Sequence, residues 1–197
     1  MKCRRFWLCS AAAALGLGLL TTILLAWGAM FLPEGNAWYG PRQGIELGLA
    51  MDDQGKLWSI NRGDNGWHTA VTYSHLQMSG RSLFIPTADY EKRKYDYMQL
   101  PRQLRPADLD DLYMNAWYHA TGWPFKAFSC SVHWEKQVSN ADIIYRVEGG
   151  VQLPRDAKFN PRALPLTPLW PGLLANTLIH AAAWLALFVW MTPRPRD

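Results

Sequence analysis

Two stretches of this chain lack charge altogether. Residues 6–32 hold no Asp, Glu, Lys, Arg or His in 27 positions, and 169–191 hold no charge and one His in 23. Cysteine is scarce: Cys3 and Cys9 head the first run, and Cys130 stands alone in the polar middle. One cysteine there excludes an internal disulfide framework, and the segment 33–153 is long enough to stand on its own hydrophobic core. The middle also lacks an excess of either charge. Lys2, Arg4, Arg5, Arg194 and Arg196 lie at the ends, which leaves fifteen basic against fifteen acidic side chains between them. The pI near 9 therefore belongs to the termini. It gives no support to nucleic-acid binding, which needs basic residues gathered on one face. No repeat or low-complexity segment is present.

What is there is first of all a pair of spans. A helix crossing the hydrocarbon core needs about 20 apolar residues, and both runs supply them. Trp7, Trp27 and Phe31 trim the first, and Trp170 and Trp190 the second, where amphipathic rings prefer the interface. Pro33-Glu34-Gly35 stops the first span at residue 32. Pro171 and Gly172 are expected to break the helix behind them, leaving 173–191 as the second span. Basic clusters in 1–5 and 192–197 put both termini in the cytoplasm, hence 33–153 on the far side of the inner (plasma) membrane, periplasmic in a bacterium. The competing reading of the first run is a cleaved signal peptide ending near Ala26-Trp27-Gly28. Its apolar stretch is about twice the usual 7–15 residues of such signals, which favours a retained anchor.

The fold class expected is an α+β membrane protein: two transmembrane helices flanking a β-rich extracytoplasmic domain of about five to six strands with one main soluble helix. Alternation and turn residues place strands at 44–51 and 56–61, joined by Asp52-Asp53-Gln54-Gly55, and at 67–74 after Gly63-Asp64-Asn65-Gly66. A further strand is expected at 82–85, and 87–105 reads as a long loop. The stretch 106–121 predicts the soluble helix: Pro106 and three aspartates suit its start, and Leu109, Leu112, Tyr113, Ala116, Trp117 and Ala120 recur at helical spacing. Two more strands are expected over 127–135 and 143–153, the latter broken at Gly149-Gly150. Five prolines in 154–171 favour an extended strap, 154–172, into the second span.

Gly122-Trp123-Pro124-Phe125, Gly149-Gly150, and Leu164-Pro165-Leu166-Thr167-Pro168-Leu169-Trp170-Pro171-Gly172 followed by Asn176-Thr177 resemble a signature of uncharacterised two-span bacterial membrane proteins. The resemblance covers roughly the last third of the chain. It implies the same architecture and no assigned activity.

Few side chains suggest chemistry. His68 beside Asp64 is the catalytic candidate, an acid–base pair, against the simpler reading of a turn carboxylate next to a strand histidine. Asp111, Asn115 and His119 would form an i, i+4, i+8 row on the expected helix and are the metal-ligand candidates, against a solvated helix flank. Cys130 and His133 fall on opposite faces of one strand, as do His68 and His75, so neither pair shares a site; Cys130 reads as a small buried apolar residue. Six tryptophans in 33–153 read as core before they read as a ligand platform. In the second span Asn176 and His180 share a helix face. Counting from the span centres puts His180 level with Thr21 and Thr22, so an interhelical hydrogen bond in an antiparallel pair is expected. No cofactor or metal is expected. The function expected is a membrane-tethered structural or protein-interaction module of the bacterial cell envelope, with the lipid bilayer and another envelope protein, or a second copy, as partners. The alternative is a small extracytoplasmic enzyme or ligand-binding domain.

Overall fold

The computed structural model describes residues 2–29, 45–64, 66–76, 87–112, 115–137, 143–154 and 162–192. The expected strand at 82–85, the end of the first apolar run, residues 155–161 of the strap and the last five residues lie outside them.

Two helices, α1 (Lys2–Gly28) and α3 (Trp170–Met191), flank a sheet domain. Both contain stretches long and apolar enough to cross a membrane. They run antiparallel side by side. Gly18 lies in close contact with α3: a Cβ there would stand 2.6 Å from the Thr177 carbonyl and 2.7 Å from the Ala181 nitrogen. Helix α3 begins at Trp170, ahead of the expected break. Pro171 sits in the first turn, where its missing N–H costs nothing. Gly172 is there for contact, since a Cβ would meet the Lys126 carbonyl at 1.9 Å.

Among the described residues, six strands of the main sheet follow in sequential antiparallel order: β1 (Ile45–Met51), β2 (Leu57–Asp64), β3 (His68–His75), β4 (Asn115–Thr121), β5 (Phe128–Gln137) and β6 (Ile143–Glu148), and a short seventh joins off this path. Asp52 organises the first hairpin, its carboxylate accepting from the backbone N–H of Gln54 and Lys56 and from the Trp58 indole. The expected loop 87–105 instead contains helix α2 (Thr87–Arg93) and two short 3-10 turns. The proline strap is not simply extended: β8 (Arg162–Pro165) pairs with β7 (Gly150–Leu153), and β9 (Thr167–Pro168) pairs with β5.

The soluble helix expected over 106–121 is not formed. Asp108 caps a turn by accepting from the Asp110 N–H, and Asn115–Thr121 is the central strand β4. On it Ala116, Tyr118 and Ala120 join the main core with Trp58, Ile60, Val71, Tyr73, Leu104 and Leu109. Trp117 packs on the opposite face, beside the second core of Cys130, Val132 and Ala163. A strand buried on both faces shows no polar alternation, so its apolar run mimics helical spacing; its aromatic and β-branched content suits the sheet.

Candidate functional site

The register of β3 against β4 brings together two histidines expected to belong to separate sites. His68 Nε2 lies 3.0 Å from His119 Nδ1, the rings stack with centroids 5.2 Å apart, and both residues are buried. Burial holds both neutral. It pushes His119 down to about 4, and His68 well below its ordinary value, helped there by the His119 and Lys126 charges and opposed by Asp64. A closed neutral pair can exchange a hydrogen bond but has no access to a substrate.

Asp64, the expected acid–base partner of His68, acts on it electrostatically against this burial. The Asp64 carboxylate accepts from the Gly66 N–H and the Thr69 hydroxyl, each at 2.8 Å, and stands near Arg62 and Lys126. The expected metal row is dissolved with the helix. Asp111 is an exposed turn residue. Asn115 opens β4, its side chain accepting the His75 N–H at 3.2 Å. His119, four residues further along an extended strand, is about 13 Å away. No set of three or more metal-ligating side chains occurs among the described residues. Cys130 is opposite His119 in the ladder, and burial pushes its thiol up to about 12, which keeps it protonated and inert.

His133 projects to the other face of β5 into a groove. The segment 95–112 packs on β1 to β4 through Leu100, Leu104, Leu109 and Leu112, and its Pro106, Ala107 and Leu112 form one wall of that groove. A cleft of about 620 Å³ and a smaller one of about 190 Å³ adjoin there, sharing Tyr118 and Glu148. His133 Nε2 is 2.9 Å from Ser131 Oγ and 3.8 Å from Glu148, which also pairs with Arg146 at 2.9 Å. Burial, with the Glu148 and Asp111 charges, raises the Tyr118 hydroxyl above its ordinary range, so it stays a neutral donor. Sequence parity separated His133 from Cys130 but carried no sign of the groove, which depends on where that segment packs.

The third constellation lies between the helices. The Thr22 hydroxyl lies 2.9 Å from the Gly18 carbonyl, to which it donates, and 3.0 Å from His180 Nδ1, with which it shares a hydrogen bond. Trp184 donates to Thr21 Oγ1 at 3.1 Å. Asn176 does not join this seam. Its amide accepts the backbone N–H of Phe125 at 3.1 Å and donates to the Phe125 carbonyl at 2.7 Å. The Trp27 indole donates to the Pro165 carbonyl at 3.2 Å, and Ala26, Ala127, Phe128 and Leu173 form a small shared core. Trp184 was within reach of sequence reasoning, four residues beyond His180 on the same helix face; Phe125 was not.

No protein-family model matches the chain, and no curated protein or solved structure matches it. The likeness to two-span bacterial membrane proteins rests on its motif alone.

Proposed function

We propose that this chain is a two-span inner-membrane protein of the bacterial envelope whose outer domain docks another envelope protein. The helix hairpin spans the bilayer with both ends in the cytoplasm, and the sheet domain sits outside. The observation that supports this is the seating of the domain on the hairpin by Asn176 on Phe125, with Trp27 on Pro165 and Gly172 against Lys126 as secondary contacts. A domain that needed only a tether would hang on a flexible linker. Here its attitude to the helices is fixed, so the groove beside His133 faces a set direction, as a docking surface requires.

A photoreactive residue in place of Glu148, in the full chain in living cells, tests this. The expected result is one discrete adduct with a protein that also co-purifies in mild detergent, absent when the residue replaces exposed Gln54. A chain that yields no adduct from Glu148, Arg146 or Arg102 and purifies as a lone monomer would contradict the reading.

The groove favours a second reading, a small extracytoplasmic ligand-binding domain or enzyme. Its larger lobe falls within the roughly 300–1,000 Å³ of small-molecule sites. Saturable small-molecule binding that Glu148→Gln abolishes would favour this second reading.

A further inference from the structure

We infer that Gly122-Trp123-Pro124-Phe125 is a lipid-contacting loop, with the Trp123 and Phe125 side chains seated in the outer leaflet beside α3. The inference rests on the two-span reading and adds an element to it that neither helix supplies.

The chain from Ala127 back to Phe125 runs down the side of α3. Leu169 donates its N–H to the Ala127 carbonyl at 2.8 Å, Gly172 packs against the Lys126 carbonyl, and Asn176 holds Phe125. Asn176 lies six residues beyond Trp170, about 9 Å further along the helix axis. The loop tip therefore sits level with the charge-free part of α3, past the tryptophan that marks its outer end. Ile179, three residues beyond Asn176 on the same side of α3, is 45% exposed, and Phe125 and Trp123 on the loop are 52% and 45% exposed. Exposed apolar side chains therefore stand on both the loop and the helix side that holds it.

The backbone carries the second observation. Irregular chain at membrane depth survives only where its polar groups are satisfied by protein. The one side-chain amide of Asn176, itself fully buried, satisfies both the N–H and the carbonyl of Phe125. In water neither group would need it. The neighbouring charge is drawn the other way: the Lys126 ammonium reaches back to the Gly66 carbonyl at 2.7 Å and toward Asp64 at 3.8 Å, as a snorkelling lysine does at a membrane surface. Trp67 stacks beneath Trp123 at 5.2 Å and fixes the ring that meets the lipid.

The test uses the full chain with its three native cysteines replaced by serine, reconstituted in vesicles of phosphatidylethanolamine and phosphatidylglycerol. A nitroxide is attached at Phe125→Cys, at Trp123→Cys, at Leu178→Cys on the exposed face of α3, or at Gln54→Cys on the distal β1–β2 turn. Power saturation then reads access to oxygen, which partitions into lipid, and to a water-soluble nickel chelate. Positions 125, 123 and 178 should show an oxygen-to-nickel ratio severalfold above that of 54. Nickel access at 125 and 123 with oxygen access at 178 overturns the loop's lipid seat and leaves the hairpin standing. Nickel access at 178 overturns the hairpin and the loop together. Protection of 125 and 123 from both reagents means that protein covers the loop, which also overturns the assignment.

Discussion

Asn176 and Phe125 are 51 residues apart, and the side-chain amide of the first closes both backbone hydrogen-bonding groups of the second. The pair joins a polar position in an apolar helix to a loop of the sheet domain, so it couples the two halves of the molecule. Replacing Asn176 by alanine leaves two part-buried backbone groups without this partner, at a cost of up to about 1–3 kcal/mol each. The thermal midpoint of the purified protein in detergent should fall, and the Phe125 amide should exchange with solvent markedly faster. Unchanged exchange at that amide would show that the contact does not hold the domain.

Helix contact depends on Gly18. Gly18→Leu drives a side chain into the Thr177 carbonyl and the Ala181 backbone, whereas a Cβ at Gly16 meets nothing within 4 Å. The first should cost about 1–3 kcal/mol as overpacking; the second should be close to neutral. Denaturation midpoints in matched detergent compare them, and equal effects would rule out Gly18 as a point of close approach.

The Thr22–His180 hydrogen bond is open to a double-mutant cycle. Thr22→Val and His180→Leu should each destabilise, and their coupling should be near the ~0.6 kcal/mol typical of polar contacts between membrane helices. Strict additivity would mean that the bond contributes nothing.

The His68–His119 pair sets a pH dependence. In the unfolded chain each histidine takes up a proton below about pH 6.5. In the folded chain burial holds His119 neutral down to about 4, and His68 is depressed in the same direction. The unfolded state thus binds more protons between those limits, so stability rises with pH across the window and is lost as pH falls through it. His119 alone accounts for about 3 kcal/mol over that span, at about 1.4 kcal/mol per unit. Unfolding midpoints measured from pH 7 to pH 4.5 should fall in the native chain and fall less steeply in His119→Gln. Parallel slopes would remove the pair as the cause.

Legibility in the sequence followed the range of the determining contacts. The β1–β3 meander was visible because Asp52-Asp53-Gln54-Gly55 and the Gly63–Gly66 segment carry their own turn chemistry. The level shared by Thr22 and His180 was reachable because helical rise converts residue counts into depth. Strand β4 imitates a helix in the sequence because cores on both of its faces erase the alternation that marks a strand. His68 and His119 meet through register across 51 residues, which no local pattern encodes. The same holds for Phe125 under Asn176: Gly122-Trp123-Pro124-Phe125 is conspicuous in the sequence, but its docking on α3 is a tertiary fact.

The most direct test of the hairpin with its domain outside is thiol labelling of intact cells by a membrane-impermeant reagent, on the full chain freed of its native cysteines. Cysteine at position 54, on the distal turn of the sheet, should label in intact cells, and cysteine at position 197 only after the membrane is permeabilised. Labelling at 197 but not at 54 in intact cells would contradict the orientation on which the proposed function stands.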